Sequence, residues 1–391
     1  MLKRLLFAVA MACGLTFGPV AVAQETVKVG LILPMTGPFA STGRQVYGAV
    51  KLYVQQHGTM VAGKKIEVIL KDDAGVADNT RRIAQELVVN DKVAFLAGFG
   101  LTPLALVTAP IATESKVPMI VMVAATSIIT EKSPYIVRSG FTIPQITTGI
   151  ADWAPKNGIK RVVTLVSDYG PGVDAETTFK QRFTAGGGEV LESLRAPMRN
   201  PDFSPFLQRA KDAKPDAVFS FVPSGEGAVL MKQFVDRGLP EAGIKLIGTG
   251  DVTDDDLLNG MGDAALGVVT SFHYSAAHDS PANKAYVAGY KKLNDGIRPN
   301  FHSVGGYDGM HLIYTALAAT KGSTDGTALV EAMKGLSWES PRGPVTLDPQ
   351  TRDVVQNVYL RKVERKDGEL YNIEFQTFPA VKDPVKAAAK Q

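Results

Sequence analysis

Short apolar, β-branched runs alternate with amphipathic stretches through most of the chain. The runs are VKVGLIL (27–33), KIEVILKDD (65–73), VAFLAGF (93–99), VPMIVMV (117–123), RVVTLVSD (161–168), DAVFSFV (216–222) and IKLIGTG (244–250). A strand without polar alternation is covered on both faces, so these runs predict parallel sheets with helices on either side. Between them, Val46, Ala49, Val50 and Tyr53 fall on one face of a helix over 45–56. Asp78 is expected to cap a helix that runs to Asn90. The order is βαβα, repeated.

The rhythm pauses at SPYIVRSGFTIPQ (133–145) and restarts at Arg161. This divides the chain into two doubly wound α/β lobes with parallel sheets, joined by a hinge. Lobe 1 covers 24–142, with about 273–340 returning to it; lobe 2 covers 143–272, with about 341–391 returning to it. Helices are expected at 281–294 and 307–320, and the tail DPVKAAAKQ (383–391) is expected to fray. Two open sheets that face each other leave a crevice at their strand ends, which makes the cleft the candidate site.

Length and composition agree with this division. At 391 residues and 45% hydrophobic, the chain exceeds one ordinary core and fills two. Residues 1–23 read differently: Lys3 and Arg4, an apolar stretch from Leu5 to Val22 interrupted by Gly14 and Pro19, and Ala21-Val22-Ala23 before Gln24. This is the order of a secretory signal peptide, with cleavage expected after Ala23 and export to the periplasm. The single cysteine, Cys13, leaves with the signal, so the mature chain has no disulfide and no thiol nucleophile. Losing Lys3 and Arg4 lowers the formal charge from +3 to +1. That is no basic field for nucleic acid or a membrane surface.

Reactive chemistry is hard to place. MTGPFASTG is not a phosphate-binding glycine loop, and GFG (98–100) and GTG (248–250) each lack a third glycine at the right spacing. None of His57, His273, His278, His302 and His311 pairs with an acidic partner at metal-ligand spacing. Asp254-Asp255-Asp256 lacks a calcium-loop pattern, and its simpler reading is a set of carboxylates at a helix N-terminus. Ser224 in VPSGEG is not in a nucleophile elbow. No cofactor and no metal are expected.

What remains is a set of strand-end loops rich in small hydroxyls: Ser41-Thr42-Gly43, Thr102, and Ala124-Ala125-Thr126-Ser127. Each precedes a helix and offers N–H and hydroxyl donors to a small anion. Helix capping alone explains any single one of them. Three that converge on one crevice favour a ligand.

With those loops assembled, the chain resembles the periplasmic solute-binding proteins of the branched-chain amino acid type, which feed ABC transporters. The resemblance runs through VKVGLILPMTGPFASTGRQ, IEVILKDDAGVAD, VPMIVMVAATS, VVTLVSDYGPGVD, DFSPFLQRAKDAKPDAVF and GYDGM, in that order. It implies a monomeric, hinged, non-enzymatic receptor that closes on a small carboxylate and delivers it to a membrane permease. By the same resemblance, Thr102, Ala124 and Thr126 hold the carboxylate, Tyr169 closes over the ligand from lobe 2, and Thr42 takes a position that is a tyrosine in some relatives.

Amino-acid-binding members carry a glutamate for the ligand's ammonium where this chain has Gly250, with Asp251 next to it. A buried ammonium without a partner costs several kcal/mol. The amino-acid reading therefore needs Asp251 to swing in; otherwise the ligand lacks an amine. Residues 272–310 look closer to members that take aromatic acids, of the hydroxybenzoate or phenylpropanoid type. Phe39, Tyr169, His273 and Tyr307 would then supply stacking and a polar tip for a ring hydroxyl. The alternatives are an aliphatic amino acid with Asp251 as anchor, or, in another class, a secreted α/β enzyme.

Overall fold

The computed structural model describes residues 25–389, and the expected signal segment, 1–23, lies outside them. Its first sheet is built from β1 (Thr26–Leu33), β2 (Met60–Val61), β3 (Lys64–Asp72), β4 (Phe95–Gly98), β5 (Met119–Val121) and β6 (Ile136–Arg138). The spatial order is β2-β3-β1-β4-β5-β6, and all neighbours except the β2–β3 hairpin are parallel. Each apolar run from the first half of the chain became a strand, with β1 buried from Val29 to Leu33 and β4 and β5 throughout.

The second sheet comprises β7 (Arg161–Ser167), β8 (Glu189–Ala196), β9 (Ala217–Phe221), β10 (Lys245–Thr249), β11 (Val269–Phe272), β12 (Ser337–Ser340), β13 (Gly343–Leu347), β14 (Val354–Lys366) and β15 (Glu369–Val381). Its parallel part runs β8-β7-β9-β10-β11, and β14 then joins β11 antiparallel, followed by β13 and β12, with β15 paired to β14. This antiparallel extension went unread in the sequence, because β12 and β13 are short and β14 and β15 interleave charged residues with Val, Leu and Ile. β12 was expected inside the segment returning to lobe 1, yet it hydrogen-bonds into the second sheet.

Both parallel blocks have the same doubly wound order, in which the first strand sits between the second and the third. The direction of winding therefore reverses between β1 and β4 in one lobe and between β7 and β9 in the other. Loops that leave a sheet at such a point diverge to opposite faces and open a crevice. The two crevices face each other.

Helix Phe301–Ala319 packs along helix Ala40–His57 on the first lobe, where Met310, Ile313 and Leu317 share a core with Val46 and Val50. Helix Ile143–Trp153 packs on β10, β11 and β14 of the second. Strands β13 and β14 bridge the halves, since Leu347 and Val354 belong to the first lobe's core and Val363 to the second's.

Two local expectations are corrected. Helix Ala77–Val89 begins after Val76, and Asp78 is inside its first turn without a capping bond. Buried Asp73 organises that turn instead, accepting from Gly75 N–H (2.9 Å) and Thr80 Oγ1 (2.9 Å). The tail does not simply fray: Asp383 caps a short helix, Pro384–Ala388, and Lys386 is buried against Asp353 (2.5 Å).

Candidate functional site

At the end of β4, Gly98 (φ 108°) and Phe99 (φ 69°) both adopt left-handed backbone. A Cβ on Gly98 would lie 2.2 Å from Ile32 O, so only glycine fits there. The kink turns Gly100 and Leu101 toward the cleft and starts helix Thr102–Ser115 at its wall. Thr102 is buried at the first position of that helix, and its hydroxyl lies 2.7 Å from the Thr126 hydroxyl in the loop after β5.

Behind this loop sits Arg138, fully buried at the end of β6. It donates to Ala124 O (3.1 Å), Phe141 O (3.1 Å) and Thr126 O (2.8 Å), while its Nε lies 2.9 Å from Asp353. The guanidinium draws the loop's carbonyls inward. Its opposite side, with the Thr126 hydroxyl, faces the other lobe.

Ala124 lines the cleft, but not as a donor. Its N–H is already given to Phe99 O (3.0 Å) and its carbonyl to Arg138. In place of Ala124, this wall offers an anion the Thr102–Thr126 hydroxyl pair at the helix N-terminus.

The facing wall comes from the second sheet's reversal point. Tyr169 precedes helix Gly170–Ala185 after β7, Phe221 ends β9 with Pro223 and Ser224 just beyond it, and Asp251 lies in the turn after β10. Tyr169 stacks near Phe221, with ring centroids 6.1 Å apart. Asp251 is buried and accepts from Thr249 Oγ1 (2.9 Å). Burial pushes its carboxyl up to about 7, against the opposing pull of that hydrogen bond and of Arg361. Burial, reinforced by the Asp251 charge, raises the Tyr169 phenol, which stays neutral.

Phe39 and Thr42, at the start of helix Ala40–His57, complete the rim from lobe 1. The lobes meet directly: Ser41 Oγ donates to Asp256 (2.6 Å), Ser127 N–H to Asp174 (2.9 Å) and Arg199 to Gly75 O (3.0 Å). The space enclosed is about 40 Å³, so the trap is closed almost upon itself. Larger concavities of about 600 and 720 Å³ open on the outer faces, beside Trp153 and Phe234 and beside Arg182 and Val385. They lie away from both reversal points.

Of the residues singled out in the sequence, Phe39, Thr42, Thr102, Ala124, Tyr169 and Asp251 line the cleft together, with Thr126 bonded to Thr102 at its edge. His273 and Tyr307 do not reach it. His273 is wholly buried behind Phe141, stacked on that ring at 4.6 Å, and burial holds it neutral. Tyr307 packs edge-on to Tyr53 (4.9 Å), and its hydroxyl donates to Gln56 (2.6 Å) on the outer helix pair.

Sequence reasoning missed Phe141, Phe221, Ser224 and His302 as wall residues. Only Phe221 had a usable signal, as the last aromatic of a strand run. The acidic run does precede a helix, the single turn Leu258–Met261, but its side chains are spent in a buried polar knot. Asp254 accepts from Ser224 and from Asn300 Nδ2 (2.9 Å), Asp255 accepts from Asn372 (3.0 Å) and lies 3.7 Å from Arg361, and Asp256 takes Ser41. Burial pushes Asp254 up to about 7. Among the described residues, no cluster of His, Cys, Asp and Glu is arranged to hold a metal ion.

A family profile described as periplasmic binding protein matches residues 26–369. The Leu/Ile/Val-binding protein homolog 6 of Brucella melitensis biotype 1 is 47% identical, over 93% of this chain and 94% of its own. A crystal structure of an ABC transporter solute-binding protein from Rhodopseudomonas palustris BisB5, in complex with 3,4-dihydroxybenzoic acid, is 66% identical with a TM-score of 0.91, covering 93% of this chain and all of that one. A second, from Rhodopseudomonas palustris HaA2 in complex with p-hydroxybenzoic acid, is 44% identical with a TM-score of 0.90, covering 94% and 100%. The two facing reversal points, the hydroxyl pair between them and this match over most of the described chain agree: the chain belongs to the periplasmic binding protein family, in its type I two-lobed form.

Proposed function

We propose that this protein is the periplasmic solute-binding component of an ABC transporter and that it carries a small hydroxylated aromatic acid. The observation that carries the reading is the composition of the cleft wall. Phe39, Phe141, Tyr169 and Phe221 surround a space with neutral hydroxyls at one side and a buried carboxyl, Asp251, in the facing lobe. Such a wall suits a flat ring with a carboxylate at one end and a hydroxyl at the other. The ring is covered by aromatic faces, the carboxylate accepts the one proton that the Thr102–Thr126 pair leaves free, and the phenolic proton is given to Asp251. The similarity to a 3,4-dihydroxybenzoic acid complex at 66% identity supports the same ligand class.

Because the closed cleft encloses so little space, a ring enters only when the lobes part, and once seated it becomes part of the interface between them. The ligand then stabilises the closed form by its preference for that form, which is what a permease recognises. A micromolar dissociation constant corresponds to about 8 kcal/mol, within reach of a buried ring, a carboxylate and a few hydrogen bonds. Calorimetric titration with 4-hydroxybenzoate, 3,4-dihydroxybenzoate, 4-hydroxycinnamate and leucine is the test. Micromolar binding of an aromatic acid is expected, and heat with leucine but with none of the aromatic acids overturns the ligand assignment.

A second reading, an aliphatic amino acid, is favoured by the Leu/Ile/Val-binding names of relatives and by Asp251 itself, whose carboxylate could meet an ammonium. It requires Asp251 to be ionised where burial raises its pKa, and Asp251→Asn would abolish binding. A phenol asks less of the same group, since a carboxyl in either protonation state can hydrogen-bond to it.

A further inference from the structure

Among the described polar residues of the cleft wall, His302 carries a side-chain atom that is both fully buried and without a hydrogen-bond partner. It sits in the first turn of helix Phe301–Ala319, only 6% exposed, and lines the same cleft as Asp251, Ser224 and Tyr169. Its backbone N–H is held by Asn300 Oδ1 (3.0 Å), and its ring lies 4.0 Å from that of Phe301. Nδ1 is buried without any partner. Leaving a buried polar atom unpaired costs on the order of 1–3 kcal/mol, so an imidazole kept there calls for an explanation.

The support beneath it is rigid and polar. Asn300 caps the helix through Oδ1, and its Nδ2 donates to both oxygens of Asp254 (2.9 and 3.0 Å). Asp254 in turn accepts from Ser224, the other small polar group on the cleft wall. One buried chain, Ser224–Asp254–Asn300, therefore fixes both Ser224 and the backbone that carries His302. Burial lowers the His302 pKa to about 3, so the ring stays neutral and keeps one donor and one acceptor nitrogen. A neutral ring adds no positive charge that would compete for the ligand's carboxylate. What it can recognise is a group that both gives and takes a hydrogen bond.

We propose that His302 is a specificity-determining residue that reads a ring hydroxyl of the bound acid, so that the cleft discriminates hydroxylated benzoates from benzoate itself. This rests on the aromatic-acid reading above. It gives the cleft two hydroxyl readers of different kind. Asp251 is anchored on the strand-end turn of the second lobe, and His302 on a helix that packs with the first. A ligand with two adjacent hydroxyls engages both and ties the lobes together. One with a single hydroxyl leaves one reader unmatched, and benzoate leaves both.

The test is a calorimetric series on the full-length mature protein, using benzoate, 4-hydroxybenzoate and 3,4-dihydroxybenzoate as probes, with the parent, His302→Phe and His302→Gln. Phe keeps a planar ring without nitrogen, and Gln restores a donor and an acceptor. Expected is a loss of about tenfold or more in affinity for 3,4-dihydroxybenzoate in His302→Phe, with benzoate binding unchanged or tighter, and partial recovery of the ratio in His302→Gln. Thermal melting of each variant separates lost recognition from lost folding, and if His302→Phe fails to fold, the ratio in His302→Gln against the parent decides. Equal weakening for all three acids, or an unchanged ratio, overturns the role of His302 while leaving the aromatic-acid reading intact. No binding of any of the three to the parent overturns both.

Discussion

The hydroxyl oxygens of Thr102 and Thr126 lie 2.7 Å apart, so one donates to the other across the gap between two strand-end loops. The pair holds two protons and uses one internally, which leaves a single proton to offer to an anion. Hydrogen bonds to a charged group contribute about 1.5–3 kcal/mol. Thr102→Val removes one member and leaves the other without its partner. Affinity for the carboxylate ligand is expected to fall by about 10- to 100-fold. Thr126→Val is expected to do the same, and the double variant to lose little more than either, because the two act as a unit. Calorimetry on the three variants measures it, and simple additivity of the two losses would show that the hydroxyls act independently.

Asp251 provides a pH-dependent signature. Its folded-state pKa is raised by burial to about 7, far above the ordinary carboxyl value, so the folded protein holds a proton that the unfolded chain has released. Stability from this group is therefore lost as pH rises from about 4 to about 7. Asp254, also raised by burial to about 7, titrates in the same window, so the total slope is shared and the difference between variants is the informative quantity. Asp251→Asn is expected to gain stability relative to the parent across that interval, by up to about 1.4 kcal/mol per pH unit, and to level off above it. Denaturant unfolding at pH 4, 5, 6, 7 and 8 checks the sign; a flat difference would mean that the carboxyl is solvated in the folded state.

Arg138 supports the ligand loop without lining the cleft. It binds the carbonyls of Ala124 and Thr126 and pairs with Asp353, which also neutralises Lys386 (2.5 Å). Arg138→Met frees those carbonyls and leaves Asp353 with one cation instead of two. Removing one member of a buried ionic set is strongly destabilising, by about 3–5 kcal/mol. Chemical denaturation is expected to show a loss of that size, together with weaker ligand binding because the 124–127 loop is no longer oriented. Asp353→Asn is expected to cost at least as much, since it leaves two buried cations facing each other.

How much of this was legible in the sequence follows from which forces act locally. Strands buried on both faces announce themselves as unbroken apolar runs, and β1, β4, β5, β7, β9 and β10 were read for that reason. The two lobes and the cleft between them followed from strand–helix alternation, whereas the strand order that creates the reversal points came only with the structure. The antiparallel β12–β15 extension was missed because a strand such as VVQNVYLRKVERK breaks its apolar run with polar residues, among them the buried Gln356 and Arg361. At the site, Thr102 was singled out as a hydroxyl in a strand-end loop, while Tyr169 and Asp251 came from the family resemblance; all three line the cleft. His273 and Tyr307 were drawn in with the resemblance of residues 272–310 to members that take aromatic acids, and such a resemblance does not say which face of a helix or strand meets the ligand. The helix after Asp254-Asp255-Asp256 was legible but their burial was not, since the partners Asn300, Arg361 and Asn372 lie 46 or more positions away in the chain.

Closure itself can be tested at Gly170, the first residue of the helix that Tyr169 precedes. A Cβ at this position would lie 2.9 Å from Thr126 Oγ1 and 3.7 Å from Thr102 Cγ2, across the gap between lobes. The backbone there is ordinary, so a side chain strains nothing within lobe 2 and meets its obstruction only when the lobes come together. Gly170→Ala is expected to weaken ligand binding several-fold as the threonine hydroxyl shifts to make room. Gly170→Val, whose two further methyls have nowhere to go, is expected to hold the lobes apart and bring affinity below detection. Without ligand, the unfolding free energy of each variant is expected to stay within about 0.5 kcal/mol of the parent, the range of a substitution that disturbs no packed core. Small-angle scattering with saturating ligand would then show compaction for the parent and none for Gly170→Val. Parent-like affinity in Gly170→Val would mean that the ligand is held by lobe 1 alone and that closure does not contribute to its capture.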